Sequence, residues 1–166
     1  MPGADAFRFV QQYSEFGLKE KMPLTGFTMI DSQTTSSLGK AGIGVISALT
    51  FVDTLDNPEA RKFTADYQAK YKSSPDLFCD YGYVGARVIG EALQMTDGDA
   101  SDKDKLAEAM AKVSFKAPRG PFKFDPVTHN PIQDIYIAQV IESGDKITTK
   151  VLSTANQVQD PGHKIY

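Results

Sequence analysis

The sequence predicts an α/β fold that is rich in helices and short of strands. Phe9, Tyr13 and Phe16 lie at the three- and four-residue spacing of a helix with one apolar face, and similar patterns recur along the chain. The apolar run at 41–52 (AGIGVISALTFV) is typical of a buried strand. Alternating apolar and polar residues over 132–141 (IQDIYIAQVI) indicate a strand with one buried face.

The first part of the chain predicts helix, strand, helix and strand in that order. The first helix covers residues 5–19, and Asp5 caps its start. Strands are predicted at 22–27 (MPLTGF) and at 42–51 (GIGVISALTF). The polar segment between these strands has room for one short helix that starts near Ser36.

Further helices are predicted in the middle of the chain. Asn57 is the N-cap of the next helix, and Pro58 takes its first position, where the missing N–H costs nothing. A longer helix covers residues 77–95 and has a wide apolar stripe, so we expect it to be the most buried helix. Asp102 or Ser101 opens the last helix.

Strands dominate the last part of the chain. They are predicted at 121–124, 132–141 and 146–152, with turn-rich segments between them, and residues 155–166 are predicted to be a surface tail. The first helix of the chain has no strand before it, although a helix in an α/β protein normally follows a strand. We therefore expect the chain to be the later part of something larger.

The composition excludes several classes of protein. The chain has 166 residues and a net charge of −3, and its 18 Lys and Arg are scattered, so we expect no binding of nucleic acid. The apolar run at 41–52 is too short to span a bilayer. The start, MPGADAFRF, lacks the basic and apolar parts of a signal peptide. We expect no export signal in this chain.

Motifs for catalysis, cofactors and metals are not evident, so we expect a protein that is not an enzyme and uses no cofactor. Cys79 is the one cysteine, which argues against a cysteine-based zinc site. His129 and His163 lie in a turn and in the tail, and offer a metal too few ligands. The glycines at 39–44 (GKAGIG) lack the spacing of a phosphate loop. The acidic loop at 96–104 (TDGDASDKD) departs from the calcium-binding EF-hand pattern.

An aromatic cluster opens the longest predicted helix. Phe78, Tyr81 and Tyr83 crowd its first turns in the segment LFCDYGYVGAR. One interpretation is that these rings pack the end of the helix into the core. The other is that they form an aromatic wall of a ligand cleft, because helix N-termini that face a crevice suit small-molecule binding.

A family resemblance is carried by five segments, which occur in the family's order. They are GADAFRFVQQYSEFGLKEKMPLTGF at 3–27, LGKAGIGVISALTF at 38–51, LDNPEARKFTADYQAKY at 55–71, YGYVGARVIGEAL at 81–93 and PRGPFKFDPVTHNPIQDIYIAQV at 118–140. Together they resemble the C-terminal half of a type I periplasmic solute-binding protein of the branched-chain amino acid (leucine/isoleucine/valine) ABC-transporter group. The resemblance covers almost the whole chain.

The resemblance implies a fold of two three-layer αβα lobes, of which this chain supplies the C-terminal portion of each. Residues 1–49 would belong to the C-terminal lobe and residues 50–134 to the N-terminal lobe, and residues 135–166 would return to the C-terminal lobe and form the tail. The hinge between the lobes would lie near Leu49–Phe51 and Ile132–Ile135. A missing N-terminal half, or self-association of the chain, would complete both sheets.

The resemblance also implies a function, location and partners. The protein would be the solute-binding component of an ABC importer, located in the periplasm, that delivers its ligand to a membrane permease. The ligand would be an amino acid or an aromatic or aliphatic carboxylate. One alternative is a ligand-sensing receptor domain of the same fold. A small flavodoxin-like enzyme is a further alternative, but the sequence shows neither its phosphate loop nor a catalytic constellation.

The resemblance places ligand contacts at three parts of the chain. In leucine-type members an acidic residue holds the ammonium group of the ligand, and this sequence has Thr28 at the best-matched position. A carboxylate gripped between aromatic side chains is therefore an alternative to a branched-chain amino acid. The expected ligand-binding residues are Gly3, Ala4, Phe27, Thr28, Met29, Phe78 and Tyr81.

Overall fold

A computed structural model of the chain describes residues 3–162. Its α-helices are α1 (Ala4–Glu15), α2 (Ser32–Leu38), α3 (Pro58–Tyr71), α4 (Leu77–Met95) and α5 (Lys103–Lys112), with a 3-10 turn at Gly39–Gly42. Its strands are β1 (Thr25–Phe27), β2 (Ile46–Leu49), β3 (Ser114–Ala117), β4 (Gly120–Phe124), β5 (Pro131–Ser143) and β6 (Lys146–Val158). Within this described part, none of the helices combines the length and the apolar character that a membrane span requires.

The strands form one mixed sheet that is centred on β5. The strand order is β1-β2-β5-β4-β3, and β6 pairs with β5 outside this path. Only β1 and β2 pair in parallel; the other pairs are antiparallel. The first residues of β5 pair with β4, as in Lys123 opposite Ile132, whereas its later residues pair with β2, as in Leu49 opposite Tyr136. One strand therefore connects the two ends of the sheet.

Two clusters of buried side chains form the core. The larger cluster brings α1, β2, α3 and β5 together through residues such as Val10, Leu49, Phe63 and Val140. The smaller cluster packs α4 against α5 and the β3–β4 hairpin; its buried members are Val84, Val88, Ala92, Ala109, Val113, Ala117 and Phe122. Burial of each large apolar side chain contributes about 1.5–3 kcal/mol. These clusters leave the predicted lobe boundaries as a prediction.

The ends of the middle helices follow the local sequence. The side chain of Asn57 accepts a hydrogen bond from the backbone N–H of Ala60, and Pro58 opens α3 as predicted. The predicted range of the longest helix, 77–95, is confirmed by α4, which Asp76 caps. Asp102 caps α5, which confirms one of the two predicted starts.

The first helix differs from the prediction at both ends. Gly3, and not Asp5, is the N-cap of α1; Asp5 lies in the first turn, where its charge complements the helix dipole. The helix ends at Glu15 instead of continuing to residue 19. Gly17 adopts a φ of 66°, and the backbone N–H of Leu18 bonds to the carbonyl group of Tyr13, which turns the chain away from the helix.

The second helix begins four residues earlier than predicted. It starts at Ser32 because Asp31 and Thr34 form a capping box, in which each side chain accepts a hydrogen bond from the backbone N–H of the other residue. The 3-10 turn at Gly39–Gly42 takes up the start of the predicted strand 42–51, and β2 is accordingly shorter.

The strands at the end of the chain are more extensive than predicted. β6 continues to Val158, so part of the predicted tail at 155–166 is a paired strand; residues 163–166 lie outside the described part. Its second half is polar and exposed, and therefore lacks the alternation that indicates a strand. The prediction also missed β3, a four-residue strand that pairs with β4 through a tight turn at Gly120, whose φ is 96°.

Candidate functional site

The loop that follows β1 is fixed on the end of β2. The backbone N–H of Thr28 donates to the carbonyl oxygen of Ala48 at 3.0 Å, and the N–H of Met29 donates to the hydroxyl oxygen of buried Ser47 at 3.0 Å. Thr28 has a φ of 50°, which is unusual for a β-branched residue. The neighbouring ring of Phe27 is mostly exposed. Predicted contacts 27–29 thus form one rigid, partly open loop.

The first turns of α4 present two aromatic rings. Asp76 accepts a hydrogen bond from the N–H of Cys79 at 2.8 Å and so fixes the start of this helix. The rings of Phe78 and Tyr81 meet edge to face, with centroids 6.1 Å apart and an interplanar angle of 86°. Phe78 is 52% exposed and Tyr81 is 37% exposed. These rings leave a large part of their apolar surface open.

Thr50 joins the end of β2 to α4. Its hydroxyl group donates to the phenolic oxygen of Tyr81 at 3.2 Å, and Thr50 follows β2 directly. Thr28 is bonded to Ala48, two residues earlier on the same strand. Because two residues of extended chain span roughly 6–7 Å, the loop after β1 and the aromatic rings of α4 lie at the same edge of the sheet.

Gly3 and Ala4 lie elsewhere in the described structure. Both are exposed at the start of α1, with Gly3 as the N-cap at a φ of 74°. The body of α1 packs against the 3-10 turn at Gly39–Gly42 and against α2. The sequence-predicted contacts are therefore grouped at Phe27–Met29 and at the start of α4, while the first pair stays a prediction.

A buried arginine packs against Tyr81. The guanidinium carbon of Arg119 lies 4.6 Å from the centroid of the Tyr81 ring, and Arg119 is only 4% exposed. Its Nε donates to Oδ2 of Asp80 at 2.7 Å, and its Nη2 lies 2.6 Å from the same oxygen. Its Nη1 donates to the side-chain oxygen of Gln133 at 2.9 Å. A charged cluster therefore underlies one of the two aromatic rings.

Burial dominates the electrostatics of this pair. Asp80 is fully buried, and burial raises its pKa to about 6 against the opposing effects of the Arg119 charge and hydrogen bond. The second carboxylate oxygen of Asp80, Oδ1, has no hydrogen-bond partner among the described residues. The pair thus costs desolvation and is held in place by its neighbours.

Sequence reasoning missed Thr50, Asp80, Arg119 and Gln133. A signal for Asp80 was present, because it lies four residues before Val84 on the line that continues to Val88 and Ala92. An acidic residue on the apolar face of a helix requires a buried partner. The sequence alone did not identify Arg119 as that partner, since 39 residues separate the two.

A second, polar cavity of about 580 Å³ lies between α2, the segment after β2 and the start of β6. Serine hydroxyl groups dominate its lining, with Asp53 and Lys146 as its charged residues. Burial raises the pKa of Asp53. Next to this cavity the hydroxyl group of Ser32 donates to the carbonyl oxygen of Pro75 at 2.8 Å, which ties α2 to the loop before α4.

The residues considered for metal binding and catalysis do not form a site in the described range 3–162. No group of three or more His, Cys, Asp or Glu side chains in that range could hold a metal ion. The thiol of Cys79 donates to the hydroxyl group of Tyr67 at 3.1 Å, and burial raises the pKa of this thiol. His129 occupies a turn at a φ of 57°, and His163 lies outside the described residues.

Curated relatives cover nearly the whole chain. The Leu/Ile/Val-binding protein homolog 6 of Brucella abortus is 28% identical over 167 aligned positions, which include 98% of this chain and 43% of the relative. The chain therefore spans less than half the length of this relative.

Solved structures give the same result for the fold. A solute-binding protein of Rhodopseudomonas palustris in complex with benzoate is 31% identical, with a TM-score of 0.86 over 96% of this chain and 43% of its own. One from R. palustris BisB5 in complex with 3,4-dihydroxybenzoic acid is 30% identical, with a TM-score of 0.91 over 98% of this chain and 45% of its own.

These likenesses confirm the α/β fold class and the family resemblance. The sequence pattern of a family described as periplasmic binding protein matches residues 1–145. This family consists of solute-binding proteins and not of enzymes. The match includes both groups of residues that meet at the end of β2. The chain belongs to the periplasmic binding protein family.

Proposed function

We propose that the complete protein is the solute-binding component of an ABC importer and that it binds an aromatic carboxylate. The observation that carries this proposal is the open aromatic pair Phe78 and Tyr81 beside the hydroxyl group of Thr50. Family membership supports the role in transport. Complexes of two similar proteins with benzoate and 3,4-dihydroxybenzoic acid support the class of ligand.

The geometry suits a flat, apolar ring with a polar end. An aromatic ligand can pack against Phe78 and Tyr81 in the offset or edge-to-face arrangements that aromatic rings prefer. The exposed ring of Phe27, on the loop after β1, offers a further apolar surface. The hydroxyl groups of Thr28 and Tyr81 can donate to the oxygen atoms of a carboxylate.

An α-amino acid fits this group of residues less well, because its ammonium group needs an acceptor. Thr28 stands at the position where leucine-type members carry an acidic residue. Asp80 is next to Tyr81 in the chain, but it is buried and already paired with Arg119. A branched-chain amino acid is the second candidate ligand, since the Brucella relative is named as a Leu/Ile/Val-binding protein homologue.

Ligand capture would occur by closure of two lobes around a hinge. The proposed lobes are residues 1–49 with 135–166, and residues 50–134. The pairing of β5 with β6 shifts register between Gln133 and Ile135, within the predicted hinge at Ile132–Ile135. An irregular ladder has fewer regular hydrogen bonds to maintain during bending, which supports this position. The partners would be a membrane permease and the polypeptide that completes both lobes, in the periplasm.

Calorimetric titration of the complete protein tests the class of ligand. We expect benzoate, 4-hydroxybenzoate and 3,4-dihydroxybenzoate to bind, and leucine, isoleucine and valine to bind at least tenfold more weakly, because no free carboxylate meets their ammonium group (roughly 1.4 kcal/mol per factor of ten). Preferential binding of leucine would overturn the aromatic assignment and favour the second candidate. Binding of neither class would overturn both.

A further inference from the structure

We propose that Arg119 is a positioning residue that determines specificity: it makes the wall formed by Tyr81 select an anionic ligand over a neutral ligand of the same shape. This inference rests on the proposed function, since it concerns the same cleft. It adds a residue that would not touch the ligand, because Arg119 is buried behind the Tyr81 ring.

The position of Arg119 is fixed from several sides. Its Nε and Nη2 both face Oδ2 of Asp80, and its Nη1 donates to Gln133 on β5. Its backbone is fixed as well, because the hydroxyl group of buried Tyr136 donates to the carbonyl oxygen of Arg119 at 3.0 Å. A guanidinium group with both its backbone and its fork held in this way keeps one orientation.

This orientation places a positive charge against the face of Tyr81. The face of an aromatic ring is electron-rich, so the guanidinium group holds the ring by a cation–π contact at 4.6 Å. The phenolic oxygen accepts a hydrogen bond from Thr50, which leaves the phenolic proton to donate elsewhere. Both contacts strengthen the phenol as a hydrogen-bond donor, because both draw electron density away from it.

The charge of Arg119 reaches the cleft because the site around it is poor in water. Asp80 neutralises the pair as a whole, but the guanidinium group is the partner that contacts the Tyr81 ring. The positive end of the pair therefore underlies the wall. Electrostatic interactions are several times stronger at buried sites than in bulk water. A carboxylate on the open side of Tyr81 gains from this charge, whereas a carboxamide of the same shape gains little.

Binding of benzoate and of its neutral isostere benzamide to the complete protein tests the proposal. The main variant is the double substitution Arg119→Met and Asp80→Asn, which removes both charges at once and leaves no unpaired ion in the core. We expect the preference for benzoate over benzamide to fall about tenfold relative to the wild type. An unchanged preference in the folded double variant would overturn the proposal.

Two milder variants separate charge from general damage. Arg119→Lys keeps the charge, so it should weaken both ligands while it retains most of the preference for benzoate. Gln133→Met removes only the acceptor of Nη1 and is expected to lower the preference about two- to threefold, because the guanidinium group loses one of its holders. Equal losses for benzoate and benzamide in all variants would show a merely structural role and would contradict the inference.

A measurement without ligand distinguishes failure of this inference from failure of the proposed function. In protein labelled with 3-fluorotyrosine, the ¹⁹F resonance of Tyr81 is identified by its loss in Tyr81→Phe. We expect this resonance to shift in the double variant, because the ring loses the adjacent charge. If the wild type binds neither benzoate nor benzamide, the aromatic-carboxylate assignment fails, and an unchanged Tyr81 resonance would then overturn the role of Arg119 independently.

Discussion

The hydroxyl group of Thr50 donates to the phenolic oxygen of Tyr81, so a residue at the end of the central parallel strand pair is bonded directly to the aromatic start of α4. This bond connects segments on either side of the predicted crossing at Leu49–Phe51. The cleft wall and the hinge are therefore parts of one bonded unit.

Tyr81→Phe tests the role of this bond. The ring keeps its contact with Arg119 but loses both the bond to Thr50 and a donor for the ligand. We expect the Kd for benzoate to rise about three- to tenfold, while the free energy of unfolding changes by about 1 kcal/mol or less. Tyr71→Phe on α3, where the ring is also exposed, is the matched control and should leave the Kd unchanged.

Phe78→Ala tests the aromatic wall. Because half of the ring is already exposed, we expect its removal to cost little stability but to weaken binding of aromatic carboxylates about tenfold or more. The control is Phe16→Ala, at the end of α1, where the ring is 75% exposed. Calorimetry and thermal unfolding measure the two effects. Equal affinity of the two variants would remove Phe78 from the site.

Thr28→Ala and Thr28→Gly separate binding from backbone strain. Both remove the hydroxyl group, so both should weaken ligand binding. Only glycine relieves the positive φ of this position, and we expect Thr28→Gly to be more stable than Thr28→Ala by about 1 kcal/mol in urea unfolding. Wild-type affinity in both variants, together with wild-type affinity in Phe78→Ala, would contradict the assignment of the site.

Removal of one partner from the buried ion pair should destabilise the fold more than removal of both. Arg119→Met alone leaves the fully buried Asp80 without its counter-charge, and we expect a loss of about 3 kcal/mol. The double variant Arg119→Met with Asp80→Asn should lose clearly less. Urea unfolding at neutral pH compares the two, and a larger loss in the double variant would show that the pair itself is net stabilising.

The same pair predicts a dependence of stability on pH. The pKa of Asp80 is raised to about 6, so between its ordinary value near 4 and about pH 6 the folded chain binds a proton that the unfolded chain releases. This contribution to stability is present at low pH and is lost as the pH rises through about 6. We expect the Tm of the wild type, relative to that of the double variant, to be higher at pH 5 than at pH 7.5. The reverse order would indicate a lowered pKa.

Local signals in the sequence predicted the helices more closely than the strands. The ends of α3, α4 and α5 follow from Asn57, Asp76 and Asp102, whose side chains cap the helices that they precede. These signals require no distant partner. The second half of β6 is polar and exposed and forms a strand because β5 is long enough to pair with it. No short window of sequence contains that information.

The candidate site was predictable to the same extent. The aromatic residues Phe78 and Tyr81 stood out in the sequence, and the structure places them beside Thr50. Arg119 did not stand out, because a turn that contains Pro and Gly explains an exposed arginine equally well. Its burial depends on Asp80 and Gln133, which are distant along the chain and approach it only when α4 and β5 pack together.

The continuity of β5 has a mechanical consequence. Its first residues are paired with β4 and its later residues with β2, so any rotation of the β3–β4 hairpin relative to β1 and β2 must twist this strand about its own length. The elastic cost of that twist acts against the rotation in both directions. The resting angle between the two ends of the sheet is therefore set by a single covalent strand, and substitutions at its irregular segment near Asp134 would change the angle without any contact with a ligand.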